Sequence, residues 1–330
     1  MSALANWSGV AVLDTPTRYR EMAETELHGV SPTYERLCLA VAEDAEVVAL
    51  LDTLPRIKRQ PNLLLGAARI LDAPIDDEAA FRAWVIANWP AVSGEMLARR
   101  TQTNEPGRLA TLLPAFAQLP EPLALVELGA SAGLCLFPDR YGYRYETDAG
   151  TVAISGQPQF PCRVTGPAPL PTAVPRVAWR AGLDLHPLDV NSIADVHWLE
   201  ALIWPEQTDR AARLAAAVDV VRTDPPRLVT GDLRSNLDAL VAEVPEDLTV
   251  VVFHTAVLAY VARADRARFA DHMRAGIDAG RWHWVSNEGP GVFRHTERLQ
   301  RNRAGFALSV DLRPVGYAGP HGTWLEWFGA

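Results

Sequence analysis

Leu123-Ala124-Leu125-Val126-Glu127-Leu128-Gly129-Ala130-Ser131-Ala132-Gly133-Leu134 is the stretch on which the fold turns. An apolar run of strand length ends in an acid and a glycine-spaced turn, and this pattern predicts a strand, a tight turn and then a helix. Glycines at 129 and 133 let the backbone lie against a ligand, and Glu127 at the strand end can accept hydrogen bonds from its polar groups.

Downstream, strands alternate with helices, which predicts a mostly parallel sheet covered on both faces. The expected strands are Leu123–Leu128, Val177–Leu185, Arg227–Thr230, Leu248–His254 and Arg281–Ser286. Helices are expected over Ile193–Ile203, Glu206–Val221, Ser235–Ala242 and Ala264–Ala279. Two last runs, Phe306–Asp311 and Thr323–Phe328, read as an antiparallel edge pair joined by a loop containing Gly and Pro. Between about 141 and 176 the order is interrupted by Tyr143–Glu146, Thr151–Ile154 and then Pro158, Pro161, Pro167, Pro169, Pro171 and Pro175. Proline removes ladder donors and fixes φ, so an insertion made of a small hairpin and a stiff loop is expected.

Upstream, the chain reads as helical. Tyr34, Leu37, Cys38, Val41, Ala42, Ala45, Val48 and Leu51 keep one helix face, with Ser31 and Pro32 at its start. Asp76 or Asp77 can cap a helix carrying Phe81, Trp84, Val85 and Trp89, and Ser93 another through Met96 and Leu97. Asn104 with Pro106 can begin one that buries Leu109, Leu112, Leu113 and Phe116. The organisation expected is an all-helical cap or lid over residues 1–118, followed by the α/β domain over 119–330.

The chain has 330 residues, 48% of them hydrophobic, with ten tryptophans, enough apolar area for a true core. Its net charge of −9 opposes capture of nucleic acid or of an anionic membrane and favours a small-molecule substrate. Met1 to Val10 lacks a basic region followed by a long apolar core, so a cytoplasmic protein is expected. Cys38, Cys135 and Cys162 are odd in number and widely spaced, which predicts ordinary thiols with no metal site.

In an open α/β sheet, ligands sit outside the carboxyl ends of the strands near the point where strand order reverses. Those ends carry Glu127 with the glycine turn, Asp184, Gly231-Asp232, His254-Thr255 and Asn287-Glu288, all polar. The arrangement resembles the class I S-adenosylmethionine-dependent methyltransferases, a Rossmann-like fold with a C-terminal antiparallel hairpin. Glu127-x-Gly129-x-x-x-Gly133 is similar to their first motif, Gly182-Leu183-Asp184-Leu185 to the second strand with its ribose acid, and Gly231-Asp232 to the third. The resemblance implies S-adenosylmethionine as cofactor. Glu127 and Gly129 would border its methionine end, Asp184 the ribose, and Asp232 with Leu233 the adenine, with Ser131 and Gly133 of the turn also among the cofactor-binding residues. Ser131 stands where these enzymes usually have a middle glycine, and Asp184 lies further along than their spacing, so Tyr143–Glu146 with Glu146 as ribose acid is the alternative second strand. The whole chain also resembles a bacterial family of unknown function, domain-of-unknown-function family 2332. That resemblance rests on Thr101-Gln102-Thr103-Asn104-Glu105 with Arg108, on Val126 to Leu134, on Gly182 to Asp189 and on Trp198 to Pro205.

Methyl transfer needs an aligned nucleophile and, for some acceptors, a base. His254 is the first candidate for that base, with Tyr260 and Glu288 behind it. Asn104, Glu105 and Arg108 are candidates for substrate binding. The bland alternative makes them a helix start, with Asn104 as cap. Gly129-x-Ser131-x-Gly133 also spells the nucleophile elbow of α/β-hydrolases, with Asp232 and His254 following in the required order. A third reading is a non-catalytic nucleoside-binding protein of the same fold.

Overall fold

The computed structural model describes residues 13–289, 291–296 and 305–329. Met1 to Val10, whose sequence bears on targeting, lies outside them. By compactness the chain divides into two units, Met1–Thr103 with Ser192–Ala212, and Asn104–Asn191 with Arg213–Ala330. This division differs from one at 118/119: the segment from Asn104 onward groups with the sheet, and 192–212 groups with the helices.

The first unit holds α1 (Thr15–Met22), α2 (Pro32–Glu43), α3 (Ala45–Asp52), α4 (Pro61–Ile70), α5 (Glu78–Ala87), α6 (Trp89–Ala98) and, from later in the chain, α8 (Ile193–Ala201). The single helix expected over Tyr34 to Leu51 is two. Asp44 leaves helical geometry and its carboxylate accepts from Glu46 N and Val47 N, so the acid that keeps the polar pattern going also starts a new helix. Asp77, not Asp76, caps α5, through Ala80 N. Ser93 lies inside α6, whose first residue is Trp89, and its hydroxyl donates back to Pro90 O. Trp198 of α8 is buried against Gly66 of α4, where a Cβ would stand 3.0 Å from the indole. Its Nε1 donates to Arg100 O.

The second unit opens with α7 (Leu109–Phe116) and is built on one eleven-stranded sheet. Its strands are β1 (Leu123–Leu128), β2 (Gly142–Thr147), β3 (Gly150–Ile154), β4 (Gln159–Thr165), β5 (Val177–Asp184), β6 (Arg227–Thr230), β7 (Thr249–Thr255), β8 (His283–Glu288), β9 (Phe306–Val310), β10 (Arg313–Ala318) and β11 (Trp324–Trp327). Helix α9 (Thr208–Thr223) precedes β6, α10 (Leu233–Val241) follows it, and α11 (Arg263–Asp278) joins β7 to β8. The spatial order is β3-β2-β4-β11-β10-β9-β8-β7-β1-β5-β6. The segment β6-β5-β1-β7-β8 is parallel throughout, and β8-β9-β10-β11 is antiparallel. This is a Rossmann-like, mostly parallel sheet with C-terminal antiparallel hairpins. The chain lays β5 and β6 on one side of β1 and then crosses to β7 on the other, so the strand order reverses between β1 and β7.

Every residue of β1 is buried, as befits a strand covered on both faces. Val126, Leu128, Leu183, Val252 and Trp284 pack on one face against Leu237 and Leu240 of α10 and Phe269 and Met273 of α11. On the other face Phe116 of α7 meets Phe253 edge-on, with ring centroids 5.3 Å apart.

Three expectations need correction. No α-helix follows the glycine turn; a three-residue 3-10 turn, Leu134–Leu136, leads toward β2. The Pro-rich insertion contains the expected hairpin, β2 with β3, but also β4, which pairs in parallel with β2 and β11. Phe160, Cys162 and Val164 alternate inward there, and Pro161 sits at an exposed position. Finally, Phe306–Val310 and Trp324–Trp327 do not pair with each other. The intervening segment read as a loop supplies β10 between them, its Pro314 accommodated at a register shift.

Candidate functional site

The glycine turn is built as the sequence requires, but its donors are turned inward. Gly129 and Gly133 have φ of 70° and 74°, and Ser131 takes 52°, a left-handed value uncommon outside glycine. Gly129 N donates to Leu183 O at 2.7 Å and Gly133 N to Ala130 O at 2.7 Å. Ser131 N donates to Asp184 Oδ2 at 2.8 Å. Ala132 N and Leu134 N both donate to Asn104 Oδ1, at 3.2 and 3.0 Å. A Cβ on Gly129 would fall 2.4 Å from Val257 Cγ2. The close approach that glycine permits is therefore made by Val257, not left open for a ligand, and Asn104 is neither a helix cap nor a group reaching for substrate. Glu105 is the cap: its Oε1 accepts from Gly107 N ahead of Pro106–Arg108.

Beside the turn lies a cluster of buried polar side chains on the face of the sheet that carries α7. Pairing register puts Glu127 level with Phe253 of β7, and Thr255, two residues further on, level with Asn287 of β8, so all four point to one face. Arg108 reaches in, donating from Nη1 to Thr255 O and Oγ1 at 3.2 and 3.1 Å and from Nε to Pro320 O at 2.8 Å. Its guanidinium lies over the Phe306 ring. His321 Nδ1 stands 3.9 Å from Glu105 Oε2. Among the described residues, Glu127 Oε2, Ser131 Oγ and both polar atoms of Asn287 are buried with no hydrogen-bond partner. Such atoms cost about 1–3 kcal/mol each unless something meets them.

Burial holds the Glu127 carboxyl well above the ordinary range, the nearby Asp184 charge adds to this, and Arg108 works against it. A raised folded-state pKa means the native state binds the proton more tightly than the unfolded chain. Stability is then lost as pH rises from the ordinary glutamate value of about 4.3 toward the folded one. Glu127→Gln is expected to remove that loss, gaining on wild type by up to about 1.4 kcal/mol per pH unit across the window and matching it below. Urea denaturation at a series of pH values checks this; parallel curves for the two proteins would contradict it. Cys135, whose thiol donates to Glu105 O, is pushed far up by burial and is inert as a nucleophile.

Asp184 closes β5 at half-burial, and β5, not Tyr143–Glu146, is the neighbour of β1. Its two oxygens take Ser131 N and His186 N, which leaves each a further lone pair. Asp232 is placed differently. It caps α10 through Arg234 N and pairs with the Arg234 guanidinium, while Leu233 packs into the core. Glu146 lies in the β2–β3 hairpin, accepting from Thr151.

His254 and Glu288 belong to the opposite face. His254 is fully buried; its Nε2 accepts from Trp284 Nε1 at 3.0 Å, so Nδ1 carries the hydrogen and donates to Glu288 Oε1 at 2.7 Å. Glu288 Oε1 also accepts Val257 N and Leu258 N, at 2.8 and 3.1 Å. With both nitrogens engaged inside an aromatic cage of Phe269, Trp284 and Phe293, His254 fits a structural role better than that of a base. Tyr260 stands on the turn after β7 and is half exposed. Of the thirteen expected residues, Asn104, Glu105, Arg108, Glu127, Gly129, Ser131, Gly133 and Asp184 come together, and the other five do not join them. Asn287 was missed as a site residue, although its place at a strand's carboxyl end marked it.

Fold and site together define an α/β protein with a buried polar cluster at the switch point of a Rossmann-like sheet. Residues 16–327 match the family described as "Uncharacterized protein conserved in bacteria (DUF2332)", and the chain belongs to that family. No curated protein and no solved structure matches it. Among the described residues no helix is long and apolar enough to cross a membrane.

Proposed function

We propose that this chain is an S-adenosylmethionine-dependent methyltransferase acting on a small molecule in the cytoplasm. The observation that carries the reading is the pair of acids at the switch point: Glu127, with a buried oxygen lacking a partner among the described residues, and Asp184, half-exposed with spare lone pairs. An ammonium group suits the first, and two ribose hydroxyls suit the second. The fit is confined to these positions, because Val257 covers Gly129, Asn104 holds two turn amides, and Asp232 is paired with Arg234. When bound, the cofactor supplies an electrophilic methyl group. The chain's part is to hold that molecule against β1 and β5 and to shield it from water under the segment from Asn104 to Arg108.

The hydrolase alternative is weaker on geometry. Ser131 Oγ has no hydrogen-bond partner among the described residues, so no base abuts it, and the elbow's helix is replaced by a three-residue turn. Calorimetric titration with S-adenosylmethionine and S-adenosylhomocysteine tests the proposal. Both are expected to bind, and Asp184→Ala to weaken each by about 1–3 kcal/mol. Absence of heat from either ligand with wild type would end the methyltransferase reading.

A further inference from the structure

We propose that Asn287 selects the small molecule that this polar cluster takes, and that its target is a neutral planar edge with one donor and one acceptor side by side, as in an amide or lactam. The inference rests on the reading of this cluster as a small-molecule site and is independent of the methyl donor.

Asn287 is 0% exposed, and neither Nδ2 nor Oδ1 meets a partner among the described residues. Its neighbours in the same row cannot answer it. Leu308 is apolar, and Thr255 Oγ1, which accepts from Arg108, makes no hydrogen bond to either Asn287 polar atom. A leucine would fill nearly the same space without the cost of two orphaned polar atoms, so a carboxamide here is unfavourable for folding unless a ligand completes it. The side chain also states what would complete it. A carboxylate offers no donor and leaves Oδ1 unmet; an ammonium offers no acceptor and leaves Nδ2 unmet. A planar amide-type edge meets both at once, in one ring of two hydrogen bonds.

The test uses the full nitrogen-labelled chain, with the Asn287 side-chain amide signals identified by their loss in Asn287→Leu. Three probes are added separately at millimolar concentration: butyrolactam, acetate and methylammonium. Butyrolactam is expected to shift the Asn287 amide signals while the other two leave them in place. Asn287→Leu is expected to lose butyrolactam binding at least about tenfold and, with no ligand present, to melt about 2–4 °C higher than wild type. Unmoved signals, equal responses to all three probes, or a lower melting temperature for Asn287→Leu would overturn the proposal, the last by showing that ordered water completes the carboxamide. S-adenosylmethionine enters neither measurement, so a failure of the cofactor titration and a failure here are separate results.

Discussion

Asn104→Ala is expected to destabilise the sheet unit by about 2–6 kcal/mol, seen as a lower urea midpoint with little change in slope. One carboxamide oxygen holds Ala132 N and Leu134 N, and all three residues are buried. Removing it leaves two amides with neither protein nor bulk water to receive them, each at about 1–3 kcal/mol. The turn follows β1 directly, so its loosening reaches Ser131 and Asp184, and affinity for the proposed cofactor should fall with stability. Asn104→Asp keeps the acceptor but adds charge near Glu105, Glu127 and Asp184, and belongs between wild type and Asn104→Ala. An unchanged midpoint for Asn104→Ala would mean that these amides do not depend on Asn104.

That role was only half visible in the sequence. Asn104, Glu105 and Arg108 read either as substrate contacts or as a helix start, while the partner of Asn104 lies about thirty residues away in the turn. Periodicity reports local geometry and is silent on such pairings. For the same reason the five central strands were legible: Val177–Leu185 against the observed Val177–Asp184, and Arg227–Thr230 without change. Each is an apolar run between turn signals. The strands β4 and β10 were missed because Pro161 and Pro314 outweighed their neighbours. An exposed position and a register shift absorb them. The helix expected after Gly133 fails for a tertiary reason. Asn104 receives the amides of Ala132 and Leu134, and the chain turns away after Leu136 to form β2. The polarity of the strand ends was legible, but which ends face each other depends on pleat and register. Strand alternation, with Thr255 level with Asn287 and His254 level with Ser286, separates the polar cluster from the His254 and Glu288 pair.

Glu288→Ala is expected to cost about 3 kcal/mol or more, because three buried donors lose their acceptor at about 1–3 kcal/mol each. It strips the acceptor from His254 Nδ1–H, Val257 N and Leu258 N at once. The loss has a local signature as well. Hydrogen exchange at the Val257 and Leu258 amides should accelerate more than at the amides of β1, because Glu288 alone receives them through Oε1 while β1 is held by strands on both sides. Glu288→Gln retains one oxygen acceptor and should recover most of the stability. A cycle with His254→Leu separates packing from pairing: the double variant should cost less than the sum of the single changes by more than about 0.5 kcal/mol, since each single change strands the other's partner. Additive losses would break the link between the two side chains. The same variants bear on the glycine turn, because Val257 lies over Gly129 and is held there by Glu288. If the adenosyl ligand needs that cover displaced, Glu288→Gln should bind it faster than wild type at little cost in stability. An unchanged association rate would mean that the ligand approaches the turn from the side of Asp184, with Val257 left in place.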